Sequence, residues 1–208
     1  MATLAAPVAA EESFEGTVHY TLQSGSEPML MVHFIKGSQM RIEVPLDGQN
    51  TAVSIVDLTA RKISILMPDQ LMFMTMPVPA GVGLNESNPP ELINTGETEK
   101  ILGYACTRYL LKNSGRQVEL WATEELGPYV SASSPMQKKG TKSAWERLLA
   151  GAGLFPLRVA ESDKNGDRIF SLDVTRVDKS PLDDALFTVP EDYQEFKMPS
   201  MDGMPFGR

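Results

Sequence analysis

Between residues 14 and 67 the chain alternates apolar and polar side chains and is cut by short turns, and this period of two constrains its fold more than any other feature. Phe14, Gly16, Val18, Tyr20 and Leu22 alternate with Glu15, Thr17, His19, Thr21 and Gln23. Successive side chains of a strand point to opposite faces, so this stretch predicts a strand with one buried and one wet face. Residues 24–27 turn the chain. Leu30, Val32 and Phe34 then share one face, with Met29, Met31, His33 and Ile35 on the other. Both faces are partly apolar there, which implies a cover on the second.

Gly37-Ser38 predicts a two-residue hairpin turn into Met40, Ile42 and Val44. Pro45 ends that strand and Asp47-Gly48 turns the chain. Residues 51–57 and 61–67 form the next pair, and Pro68-Asp69 leads into residues 71–76. The segment 77–90 holds four prolines, two glycines and two asparagines without periodicity, and reads as a long loop. Strands resume at 93–100, 104–112 and 116–123. Residues 142–152 are the one convincing helix, with Trp145, Leu148, Leu149 and Ala152 on a single stripe. Strands at 157–163 and 168–177 flank Asn165-Gly166, a strong hairpin signal, and 183–186 suggests one helical turn.

This pattern gives roughly eleven strands in one mainly β domain. The stripe of a lone helix has only a sheet to bury against. One strongly curved antiparallel sheet, a half-barrel with the helix on its concave face, meets these constraints. A closed barrel or a two-sheet sandwich meets them too. The domain is expected over residues 13–195, between a leader at 1–12 and a Met-, Pro- and Gly-rich tail at 196–208. At 208 residues the chain is long enough to bury a core without disulfides or metals.

The net charge of −8 is spread along the chain and repels nucleic acid and anionic membrane surfaces. The basic pair Lys138-Lys139 is expected in a solvated loop. No apolar run approaches the ~20 residues that span a bilayer. Met1 to Ala10, MATLAAPVAA, is like the small-residue stretch around a signal-peptidase site and predicts export. With no cysteine near it, a lipoprotein anchor is not expected.

Catalytic patterns find little support. His19 and His33 are the two histidines, both on strands without a partner at ligand spacing, so neither is a good general base. Nucleophile-elbow, phosphate-loop and dinucleotide motifs are absent from the sequence. Asp163 to Asp167 lacks the spacing and terminal Glu of a calcium loop, and a hairpin turn explains it better. Cys106, the single cysteine, reads as a buried inert thiol. Neither catalytic residue, metal ligand nor cofactor is expected. The trios Met72, Met74, Met76 and Met198, Met201, Met204 raise a copper(I) role, but a Met-lined sheet face and a plain tail explain them better.

A set of short motifs adds to this. They are Phe14-Glu15-Gly16; Lys36-Gly37 and Arg41-Ile42-Glu43; Ile55-Val56-Asp57; and Gly96 with Ile101-Leu102-Gly103-Tyr104-Ala105-Cys106. Glu119-Leu120-Trp121, Leu126-Gly127 and Leu186-Phe187-Thr188-Val189-Pro190-Glu191-Asp192-Tyr193 complete the set. In order and spacing, the chain resembles a secreted bacterial family known only as a domain of unknown function. That family is similar to the LolA/LolB-like lipoprotein-carrier fold, a half-barrel of antiparallel strands over an apolar cavity. The resemblance implies a periplasmic or secreted protein without enzymatic activity and supplies no site residues.

The expected function is therefore a non-enzymatic carrier or binding protein for a lipophilic small molecule or lipoprotein. The alternatives are an envelope structural or protein-interaction module with a filled core and, more weakly, a copper-binding protein. If a cavity exists, Leu30, Phe34, Met72, Met74 and Trp145 are expected to line it.

Overall fold

In the computed structural model, residues 13–45, 51–78, 92–113, 116–130 and 144–196 are described. The expected leader, most of the 77–90 loop, Lys138-Lys139 and the tail from residue 197 lie outside them. The first alternating segments form six strands in sequence: β1 (Glu15–Gln23), β2 (Pro28–Lys36), β3 (Gln39–Pro45), β4 (Thr51–Asp57), β5 (Lys62–Met67) and β6 (Met72–Pro77). Between β5 and β6 the chain makes a 3-10 turn, Pro68–Gln70, closed by Leu71 in a left-handed conformation. A second run comprises β7 (Leu92–Ile101), β8 (Tyr104–Asn113), β9 (Arg116–Thr123), α1 (Ala144–Ala152), β10 (Phe155–Ser162) and β11 (Arg168–Lys179). A two-residue strand, β12 (Gln194–Glu195), ends the described fold.

The twelve strands of the described residues lie in one sheet, ordered β12-β6-β5-β4-β3-β2-β1-β11-β10-β9-β8-β7. Each meander is a run of neighbouring antiparallel strands. They join where β1 pairs with β11, with a bulge between His19 and Tyr20. Only β12 runs parallel to its neighbour, with Gln194 opposite Met72 and Glu195 opposite Phe73.

The half-barrel expectation needs correction. The sheet is open, neither closed nor strongly curled, and its edge strands β7 and β12 are not neighbours. Sheets bend where bulges or glycine kinks interrupt the ladder. Register shifts fall in the β1–β11, β10–β11, β9–β10 and β7–β8 ladders. The ladders from β1–β2 through β5–β6 run without a shift, so half of the sheet has no local device for curling. The twelfth strand escapes a sequence reading because two residues are too few to carry a period.

Register defines the two faces. Val18, His33, Ile42, Ser54, Ile65 and Met74 stand opposite one another in turn from β1 to β6 and share one face, here called inner. The main core lies on it, and Trp145 and Leu149 of α1 are buried in that core. The outer face carries a smaller core of Val53, Ile55 and Leu66, against which Phe73, Val189 and Tyr193 pack. The C-terminal segment therefore covers the outer face at β4 to β6, while Leu30 on the outer side of β2 stays exposed. The segment is anchored by polar contacts: Lys36 donates to the Leu182 carbonyl at 2.9 Å and pairs with Asp184 at 2.6 Å. Arg41 donates to the Leu186 carbonyl at 3.3 Å. The Leu182 N–H donates to Glu15 at 2.7 Å and, with Lys36, holds that carboxyl below its usual range. The Asn165-Gly166 turn is the expected hairpin, with Asp163 accepting from the N–H groups of Asn165 and Asp167 at 2.8 and 3.0 Å.

Gly16 matters at the β1–β11 seam. A Cβ there would lie 2.1 Å from the Asp178 carbonyl oxygen, which is backbone and has nowhere to retreat. Gly16→Ala is expected to push β11 from β1 and to cost ~1–3 kcal/mol, the usual range for overpacking. Urea unfolding checks this, and an unchanged midpoint would show that the approach is not tight.

Candidate functional site

The inner face divides into a filled part and an open part. Tyr20, His33, Tyr129, Trp145 and Phe155 are buried in the filled part, and Phe170 packs against them. His33 meets Tyr20 edge-on at 4.7 Å between ring centroids and stacks on Tyr129 at 5.9 Å. Phe155 closes on His33 and Tyr129 at 6.1 and 5.6 Å. Trp145 tilts over Tyr129 at 5.8 Å and Phe170 at 6.0 Å, which lays α1 on the inner side of β11. Aromatic pairs at these separations add to the burial of their area.

His33 is the polar element of this cluster. Its Nε2 hydrogen-bonds the Tyr20 hydroxyl. His33 Nδ1 and Trp145 Nε1 have no hydrogen-bond partner among the described residues. Burial lowers the imidazole pKa to about 3, so the ring is neutral over the ordinary pH range. Burial also drives the Tyr20 phenol well above its usual value. Neither group is placed to exchange protons with a solvent-borne substrate. Cys106 is buried as expected, and burial raises its pKa, which keeps it a thiol.

The open part lies on β5 and β6. Ile63 faces Met76, Ile65 faces Met74 and Met67 faces Met72 across their ladder. All six side chains are half-buried. Their inner-face neighbours on β4 are Ala52, Ser54 and Val56, so this stretch of face bears no charge. Six residues of strand span ~17 Å, and two strands set side by side give a strip ~10 Å wide.

Of the five residues expected to line a cavity, Met72 and Met74 fall together on this strip. Trp145 is on the same face but within the filled part, at 1% exposure. Leu30 and Phe34 lie on the outer face, because their neighbour His33 points inward. Leu30 is 63% exposed and Phe34 half-buried. The sheet itself separates the two sets, and the five do not make one surface. Alternation sets Leu30 and Phe34 on one face, but because both faces of β2 are apolar it does not say which of them is inner. Ile65 and Met67 escape the sequence reading, although the turn at Pro68-Asp69 sets Met67 opposite Met72. Among the described residues no three His, Cys, Asp or Glu side chains group to hold a metal, and no helix is long and apolar enough to cross a membrane.

These features define an open antiparallel-sheet domain whose inner face is plugged on one side by an aromatic cluster and apolar and accessible on the other. The chain belongs to a family described as a domain of unknown function, DUF4412, matched over residues 14–193. No curated protein matches it. Among solved structures it is similar to an uncharacterized conserved protein from Thermus thermophilus, at 13% identity and a TM-score of 0.53, covering 88% of this chain and 90% of that one. PNGF-II is similar at 16% identity and a TM-score of 0.50, with 88% of this chain matching 31% of that chain. A chain of the Pseudomonas aeruginosa MucA/MucB complex matches at 12% identity and a TM-score of 0.48, covering 85% of this chain and 56% of that one. At these identities the first two likenesses show the fold.

His33 makes the filled part testable. Tyr20→Phe leaves Nε2 unpaired in the core and is expected to cost ~1–3 kcal/mol. Between the folded pKa of about 3 and a free value of ~6.5, the unfolded chain binds the extra proton. The stability from keeping this ring neutral is therefore complete above that window and falls with pH inside it, by up to ~1.4 kcal/mol per pH unit. Unfolding curves from about pH 7 to 4 should be steeper in pH for the wild type than for His33→Gln; equal slopes would refute the assignment.

Proposed function

We propose that this domain is a non-enzymatic binding or carrier protein for a lipophilic ligand, acting in the periplasm or outside a bacterial cell. The observation that carries this reading is the uncharged strip of Ile63, Ile65, Met67, Met72, Met74 and Met76, half-exposed beside the main core. Apolar area of this kind is stabilised by whatever covers it, and methionine adapts to irregular partners. Apolar sites with few polar groups suit lipophilic molecules. The export half of the reading rests on the small-residue N-terminus and on the carrier-like family resemblance. The neutral buried His33 and the buried Cys106 favour binding over catalysis.

An interaction module with a solid core is the second reading, favoured by the close-packed aromatic part of the inner face. In that case the strip meets a protein surface rather than a small molecule.

An apolar fluorescent probe titrated into the full chain separates the two. Met74→Lys is expected to weaken uptake about tenfold, equivalent to ~1.4 kcal/mol, whereas Leu30→Lys on the opposite face leaves it unchanged. Native mass spectrometry of protein isolated from its source periplasm should show a co-purifying lipophilic molecule. Absence of both probe uptake and a co-purifying molecule would sink the carrier reading.

A further inference from the structure

We propose that the inner-face methionines of β5 and β6 bind one soft monovalent cation, of the copper(I) or silver(I) class, through thioether sulfur. This goes beyond the carrier reading and does not depend on it. Met67 and Met72 stand directly opposite each other across the ladder, and Met74 is two residues along β6 on the same face. Opposed residues have Cβ atoms ~4.5–5.5 Å apart and diagonal ones ~7–8 Å, within reach of long side chains. The flexible methionine stem lets the sulfurs of Met67, Met72 and Met74 turn toward one point. Met76 continues the row as a fourth donor facing Ile63.

The chemistry of the surroundings sets the class of ion. Thioethers are neutral and soft, and they select copper(I) over zinc, magnesium or calcium. The strip adds no carboxylate, imidazole or thiol that would favour a harder divalent ion. All four methionines are half-buried, so an ion can enter from solvent and still lose part of its hydration. Leucine or valine would have served an apolar face equally well, yet four of these six side chains carry sulfur.

The test is titration of the full chain with silver(I), which needs no reductant, followed by native mass spectrometry and by NMR of methyl-labelled methionine. One bound ion per chain is expected, with shifts confined to the methyls of Met67, Met72, Met74 and Met76. Met72→Leu combined with Met74→Leu keeps the apolar area and removes two donors. It is expected to weaken silver binding by more than about tenfold, given that even outer-shell changes cost that much at metal sites. Two controls retain the strip: Cys106→Ala removes the thiol, and a triple Leu variant removes Met198, Met201 and Met204. No binding, binding unchanged in the Met72/Met74 variant, or binding lost in either control would overturn the proposal. Uptake of the apolar probe should survive the Leu substitutions, so its failure counts against the carrier reading alone.

Discussion

The pairing of β1 with β11 makes one sheet out of two meanders. Every other antiparallel ladder joins elements close in sequence or within one half of the chain, whereas this one brings Gly16 opposite Lys179 and Gln23 opposite Ser171. Loop-closure entropy grows slowly with length, so the expense of this long connection is modest compared with the ladder and core it makes possible. What the seam demands is close approach. Gly16 lets β1 lie against the Asp178 carbonyl, and the bulge at His19 and Tyr20 shifts the register. On either side of that bulge, Val18 faces Val177 and Tyr20 faces Val174, so the core row is unbroken across it.

That row explains the division of the inner face. Tyr20 sits at the seam and holds His33 on one side, while Val174 and Phe170 continue the face on β11. The bulky rings therefore gather near the middle of the sheet, and α1 adds Trp145 there. A nine-residue helix is ~14 Å long and ~10 Å wide. Twelve strands at ~4.8 Å spacing give a sheet more than ~50 Å wide. One such helix covers only a few strands, and the methionine strip lies five strands from β1 at its far end. Its partial exposure follows from the size of the plug as much as from the composition of the strip.

The strands are legible in the sequence because alternation and turn chemistry agree. Gly37-Ser38 and Asn165-Gly166 both mark observed turns, and Trp145 with Leu149 marks the buried stripe of the helix. Periodicity says that residues share a face but does not say which face is inside. At β1 the contrast of Val18 with Thr17 settles the matter. At β2, Leu30-Met31-Val32-His33-Phe34 is apolar on both sides and does not. The inward choice is fixed by partners distant in sequence, since His33 must reach Tyr20 and the aromatic cluster. A lone histidine marks the less apolar side, and its burial is legible only through those partners. Curvature is illegible for a related reason, because bulges depend on pairing that a single strand does not reveal.

The outer face sharpens what the open strip means. Over β4 to β6 the outer side is covered by the chain's own C-terminal segment, which buries Val53, Ile55 and Leu66 and ends by pairing with β6. Two of these strands, β5 and β6, present Ile65, Met67, Met72 and Met74 on the inner side only half-buried. One layer of sheet thus has a permanent cover on one face and an accessible apolar surface on the other. Strands buried on both faces are apolar on both, and among the described residues nothing buries the strip as the C-terminal segment buries Val53, Ile55 and Leu66. Something that comes and goes can occupy it without unfolding the sheet, because the outer cover and the seam hold β4 to β6 in place. This is the physical basis for proposing the strip, rather than the buried His33 cluster, as a binding site.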